Sequence, residues 1–252
     1  SADKIHVVPH PFREDDDLSK LLYRVPQAEW RLFYAIGRWE PRKGFAELVE
    51  AFLRAFTPAE RVVLTIKYSG GKWEGYPGPE EALARALQRD DVREHWTESA
   101  ARERIRFVDK HLSRSAIVGL HFHNNIYVSS SHGEAWNWGA FEAKQAGNAL
   151  VYVPYGGVSD YAMSPDDAPV RGRGLEPVHS SYKWYGAQWA AFSVEDLVDA
   201  LRLARAPAKL TQPDGFRRFS ARRVGEQMRD LLTPLVEARV PEAAAYYKER
   251  LG

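Results

Sequence analysis

Apolar runs of strand length alternate with segments of helical periodicity along the chain. Lys4–Val8, Leu32–Trp39, Arg61–Ser69, Arg104–Val108, Asn125–Ser130 and Ala149–Tyr155 are the runs predicted as strands. Between them, Phe45, Leu48, Val49, Phe52, Leu53 and Phe56 recur at helical spacing and make one apolar stripe. Helices are also predicted within Arg13–Val25, from Glu80 to Trp96 with an exposed character, over Ser115–Asn124 and within Ser129–Gly147. A further one follows the N-cap pair Ser193 and Asp196, and another runs from about Gly215 to the end. Gly70–Pro79 and Ser164–Pro177 are rich in turn-forming residues and are expected to be irregular.

Strands so continuously apolar, alternating with helices, predict an α/β fold: a Rossmann-like parallel sheet with helices on both faces. No repeat or linker divides the pattern, so one domain spanning 1–252 is expected. In such sheets ligands bind outside the carboxyl ends of the strands, where loops enter helices.

Composition narrows the classes. A net charge of +1 over 252 residues gives no electrostatic case for wholesale nucleic-acid or membrane-surface binding. The absence of cysteine excludes disulfides and thiolate chemistry. With no membrane-length apolar run and no signal-peptide pattern, a cytoplasmic location is expected. The chain opens Ser-Ala, which suggests a piece of something longer.

Three predicted strand-to-helix loops carry chemistry. In Ile36–Phe45, Arg38, Arg42 and Lys43 lie between two glycines just before a helix, a natural arrangement for a diphosphate. Taken alone, the same cations are solvated loop charges. In Ser129–Gly147, Glu134 sits in a turn and Glu142 in the following helix. Eight helical positions rotate by about 80°, so the two carboxylates need not share a face. Their plain reading is a solvated helix packed by Trp136, Trp138 and Phe141. In Val153–Tyr161, Gly156-Gly157 permits a tight turn beside a ligand, or simply ends a strand.

Together, in this order, the loops resemble the nucleotide-sugar-binding half of retaining GT-B glycosyltransferases of the family 4, or "group 1", type. That family carries G-R-x-x-x-x-K-G after a strand, matched by Gly37, Arg38, Lys43 and Gly44. It then carries S-x-x-E-G-[FW]-G-x-x-x-x-E-A-x-x-x-G, matched by Ser131, Glu134, Trp136, Glu142, Ala143 and Gly147. The runs "KIHVVPHPF", "VYVPYGGVSDY" and "RFSARRVGEQM" resemble its opening strand, its glycine turn and its late helix start, so the likeness covers nearly the whole chain.

The resemblance implies a C-terminal donor domain, one half of a GT-B fold, that takes a UDP- or GDP-sugar. Arg38 and Lys43 would hold the diphosphate and stabilise the leaving nucleotide, and Glu134 would face the transferred sugar. Glu142 would bind the ribose, with backbone amides from Ala135 through Trp136 and Asn137 to Trp138 completing the cradle. Base recognition would run through backbone near Arg106–Ser113. No separate cofactor and no metal are implied. The acceptor, a sugar, glycan or lipid, would be bound by an N-terminal domain or partner subunit absent from these residues.

Ala135 and Asn137 stand where the family has glycines, and Ala135 matters if positive φ is needed there. Competing readings are a non-catalytic nucleotide-sugar-binding module and another GT-B-fold enzyme, an epimerase or a phosphorylase. A glycosidase ranks low, because a diphosphate grip has no use in its chemistry. His10, His121, His123 and His132 lack metal-site spacing, and Asp15-Asp16-Asp17 is read as a solvated acidic turn. His132 either lines the pocket or packs, and Lys67 either reaches the nucleotide or is an edge charge.

Overall fold

The strand Arg31–Arg38 (β1) lies at the centre of a six-stranded sheet, and its side chains alternate between two buried faces. Phe33 meets Phe52 and Phe56 of a helix on one face, while Tyr34 meets Tyr127 and His121 on the other. The computed structural model describes residues 6, 8–12, 29–70, 73–182, 186–207 and 215–239. The strand expected at Lys4–Val8, the helix within Arg13–Val25 and the acidic turn Asp15–Asp17 lie essentially outside them.

The chain divides into two compact units, Leu18–Pro213 and a smaller one formed by Ser1–Asp17 with Asp214–Gly252. In the larger, β1 is followed by the helix Phe45–Ala55 (α1), the strand Val62–Ser69 (β2) and the helices Pro79–Leu87 (α2), Asp90–Arg93 (α3) and Glu98–Arg104 (α4). Then come Ile105–Val108 (β3), Arg114–His123 (α5), Ile126–Ser129 (β4), Trp138–Gln145 (α6) and Ala149–Tyr152 (β5). The short strands Ala168–Pro169 (β6), Leu175–Pro177 (β7) and Gln188–Ala190 (β8) precede the helix Val194–Leu203 (α7). In the smaller unit, the helix Ala221–Arg239 (α8) follows a 3-10 turn whose Phe216 and Phe219 are buried, with Phe12 stacked on Phe216.

The main sheet is parallel throughout, in the order β3-β2-β1-β4-β5-β6. One half of the chain winds outward from β1 and the other from β4, so the winding direction reverses between these two strands. They pair only at Phe33↔Ile126 and Tyr34↔Tyr127 and separate toward their carboxyl ends. That opening is the crevice where such folds place ligands.

The predicted stripe of α1 is buried from Phe45 to Phe56 against the sheet. Near-complete burial of side chains as large as Leu48, Phe52 and Leu53 contributes about 1.5–3 kcal/mol each. Ser193 and Asp196 form the expected capping box of α7.

Three expectations need correction. The single exposed helix over Glu80–Trp96 is two helices broken at Gln88–Arg89, with Leu83, Val92 and Trp96 buried. The Trp96 indole donates to the carbonyls of Leu53 and Phe56, an anchor that helical periodicity does not reveal. Ser164–Pro177 is not wholly irregular, because it supplies β6 and β7; β7 pairs antiparallel with β8. α4 lacks an apolar stripe and was not foreseen; Thr97 caps it by accepting from the Ala100 amide.

Candidate functional site

The loops leaving β1 and β4 flank the crevice and are bonded into one unit. After β1, Pro41–Lys43 makes a 3-10 turn and Gly44 takes a left-handed conformation (φ 61°) to start α1. A Cβ on Gly44 would lie 2.3 Å from the Ser130 carbonyl oxygen, so the residue must be glycine on both counts. Across the gap, Ser130 Oγ donates to the Lys43 carbonyl (2.8 Å), and Ser131 Oγ (3.1 Å) and the His132 amide (2.8 Å) donate to that of Arg42. Gly37 leaves room for the Lys43 stem, whose Cε would lie 3.1 Å from an added Cβ.

This stitching concentrates charge. The Lys43 ammonium is hydrogen-bonded to the Glu134 carboxylate, and Arg42 Nη1 lies 3.2 Å from the same oxygen. Arg42 also donates to the Gly133 carbonyl (2.7 Å) and, through Nη2, to Glu40 (2.6 Å). Glu40 is buried and Glu134 nearly so, so removing either cation would leave a carboxylate uncompensated. Burial opposes the Arg42 charge, but the Glu134 and Glu40 carboxylates outweigh it and hold the guanidinium pKa above its ordinary value. Two cations and two carboxylates thus balance here. Arg38, exposed at the end of β1, forms no ion pair among the described residues.

Of the expected site residues, Lys43 and Glu134 are brought together, and Arg38 stands at the end of the strand that carries their loop. Glu142 belongs to a different cluster. Its oxygens meet Arg114 Nη1 (2.7 Å) and His121 Nε2 (3.3 Å), and among the described residues it shares no hydrogen-bond or ion-pair partner with Glu134. His121 is fully buried, with Nδ1 2.7 Å from the Tyr34 hydroxyl, which in turn accepts from Asn148 Nδ2 (2.6 Å). The Asn148 amide nitrogen can only donate to the Tyr34 oxygen, and the His121 ring joins Tyr34 at Nδ1 to Glu142 at Nε2. Burial alone would raise the Glu142 pKa; the His121 hydrogen bond and the Arg114 charge outweigh it and lower it.

The turn between the glutamates follows from two residues. Asn137 takes the positive φ (61°), accepts from the Ala140 amide (3.3 Å) and donates to Ser129 Oγ (2.7 Å), so it caps α6 and ties it to β4. Ala135 needs no positive φ; the strain expected there does not arise. Its carbonyl accepts from the Gly157 amide (3.1 Å). A Cβ on Gly156 would lie 2.0 Å from the Glu134 oxygen and one on Gly157 2.3 Å from that of Ala135. The paired glycines therefore serve close packing against the Glu134–Ala135 backbone.

Trp136 is buried against Phe141 and Tyr161, whereas Trp138 is 48% exposed, contrary to the plain packing reading of both. His132 packs: its ring stacks between Trp189 and Phe192, and Nδ1 lies 2.8 Å from the Ala190 carbonyl. The Lys67 ammonium is turned back onto the Tyr68 carbonyl (2.6 Å). Spacing placed Arg42 among the loop cations but did not reveal Glu40 as its partner, nor Arg114 and His121 as partners of Glu142. Only the position of Arg42 and Glu40 inside the same loop signalled them.

No helix among the described residues is long and apolar enough to cross a membrane. No protein-family model and no curated protein matches the chain. Solved structures do. The Anabaena Alr3699/HepE protein, crystallised with UDP and glucose, superposes with a TM-score of 0.56 at 16% identity, covering 93% of this chain and 58% of that one. The α,α-trehalose 6-phosphate synthase of Burkholderia multivorans gives 0.56 at 17%, covering 94% and 51%. The UDP-forming α,α-trehalose-phosphate synthase of Burkholderia xenovorans, with glucose-6-phosphate, gives 0.53 at 16%, covering 81% and 43%. The chain has the Rossmann-like fold found in GT-B glycosyltransferases, and it spans about half the length of these structures.

Proposed function

We propose that the chain is the donor-binding half of a glycosyltransferase that grips a nucleoside-diphosphate sugar in the crevice between β1 and β4. The observation that carries this reading is the convergence of Lys43, Arg42 and Glu134 on one cluster at the sheet's reversal point, with Arg38 at the end of the strand that leads into their loop.

Arg38 and Lys43 would hold the diphosphate and stabilise the negative charge that develops as the nucleotide leaves. Lys43 is neutralised by Glu134. A diphosphate entering the crevice would compete for that ammonium and release Glu134 to accept from sugar hydroxyls. Arg42, held at Glu40 and Gly133, would keep the loop in place during the exchange. Glu142, oriented by His121 and Arg114, retains accepting capacity for ribose hydroxyls. The start of α6, where Asn137 satisfies only one of the first-turn amides, would complete the cradle.

Transfer would proceed with retention, to an acceptor held by an N-terminal domain or a partner subunit. A thermal-shift screen against UDP-, GDP- and ADP-sugars tests the reading, since a ligand of the native state raises apparent stability. A rise with one nucleotide class that disappears in the Lys43→Ala variant is expected. No rise with any of them would overturn it.

A further inference from the structure

A cavity of about 640 Å³ opens on the same carboxyl side of the sheet, over β1, β2 and β3 rather than over the β1–β4 crevice. That volume lies within the roughly 300–1,000 Å³ typical of small-molecule sites. Three partly exposed aromatic residues wall it, Tyr68 near the end of β2 and Trp73 and Tyr76 on the following loop, with the buried Trp39 behind them. It shares no residue with the charged cluster of Glu40, Arg42, Lys43 and Glu134, although Arg38 lies against its lining residue Gly70.

The walls are fixed before any ligand arrives. The Trp39 indole donates to the Pro77 carbonyl (2.8 Å), and the Tyr68 ring meets it edge to face with centroids 5.4 Å apart. The Tyr76 hydroxyl accepts from the Ala46 amide (2.9 Å) and donates to Glu47 (2.8 Å), which locks that ring against the start of α1. Trp73, half-buried, rests its ring near that of Tyr182, with centroids 4.9 Å apart. Rigid aromatic surface loses little freedom when a ligand binds.

Charge at the cavity selects the ligand further. Glu80, Glu81 and Asp109 are exposed there, and Arg85, the one cation among the described lining residues, is bonded to Glu81. Glu80 is held by Arg102 (2.8 Å), whereas Asp109 forms no ion pair among the described residues. An uncharged ring with a C–H face to lay on the aromatics and hydroxyls to donate to the carboxylates fits both features.

We propose that this cavity is a second carbohydrate site, one that binds a neutral pyranose ring of a glycan by stacking and carboxylate hydrogen bonds. Saturation-transfer NMR with maltose, cellobiose and N,N′-diacetylchitobiose at millimolar concentration, on the whole chain, tests it. Transfer to ring C–H protons of at least one sugar is expected, persisting in saturating UDP and in the Lys43→Ala variant. Folded Trp73→Ala protein should bind about tenfold more weakly, with Trp73→Phe retaining most of the affinity. Should Tyr68→Ala, within a strand, fail to fold, Trp73 on the loop decides the matter alone.

Four results would overturn the proposal: no transfer from any of the three sugars, or transfer unchanged in Trp73→Ala; transfer lost with UDP or Lys43→Ala, which places the sugar in the crevice; or transfer abolished by tetramethylammonium, which assigns the aromatics to a cationic ligand. Failure of nucleotide binding in the crevice would leave this site untouched.

Discussion

Lys43 and Glu134, 91 residues apart in sequence, are joined by an ion pair that closes the two loops flanking the sheet's reversal point. If Glu134 is the counter-ion that a diphosphate must displace, Glu134→Gln should bind UDP more tightly than the native chain, by roughly threefold or more. The same variant should lose any turnover of the nucleotide sugar. Calorimetry with UDP reads the first effect and product release the second; weaker UDP binding would contradict the exchange.

The glycines of this region separate by what an added methyl group would strike. Gly44→Ala, Gly156→Ala and Gly157→Ala each drive a Cβ to within 2.3 Å or less of a backbone oxygen. Each should cost about 2–4 kcal/mol in chemical denaturation. Gly133, in the same turn, has nothing within 4 Å of that position. Gly133→Ala should therefore stay within about 0.5 kcal/mol of the native chain.

The layers of the fold were legible because burial on both faces leaves continuous apolar runs, and five of the runs appear as strands within a residue or a few of their expected ends. α1 was legible because one stripe of it is buried. The break at Gln88–Arg89 was not, since tertiary contacts such as the Trp96 indole bonds decide it. In the site, spacing pointed to Lys43 and Glu134 but left the distribution of charge unknown. In sequence Glu134 and Glu142 could be given separate roles but not separate partners. The turn capped by Asn137 leaves Glu134 paired with the β1 loop and Glu142 with α5, while both act on the Tyr127 hydroxyl. Glu40 and His121 stayed hidden because each matters through one partner, Arg42 or Glu142, supplied by the fold.

Arg42 holds Glu40, Glu134 and the Gly133 carbonyl at once. Arg42→Ala strands the buried Glu40 carboxylate and should cost about 2–4 kcal/mol. Arg42→Lys should recover only part, because an ammonium lacks the fork that spans three acceptors. Urea denaturation of the two variants measures the difference. Equal stability of Arg42→Lys and the native chain would show that the fork is not used.

Stability should fall on the acid side. The Arg173 hydrogen bond, against burial and with help from Ser193, lowers the Asp196 pKa from 3.8 to about 2. A lowered carboxylate contributes stability that is complete above its ordinary pKa and lost as pH falls through the folded value. Denaturation midpoints of the native chain should drop between pH 3.8 and about 2. In Asp196→Asn that slope should flatten, while stability at neutral pH is lower because the α7 capping box is weakened. Glu142, also lowered, adds to the same acid limb.

The central claim is that the crevice between β1 and β4 grips a nucleoside diphosphate. Isothermal titration of UDP and GDP into the native chain and into the Arg38→Ala/Lys43→Ala double variant tests it most directly. The account predicts saturable binding of one nucleotide to the native chain and none to the folded double variant. Absence of binding to folded native protein, or equal binding to the double variant, would contradict it.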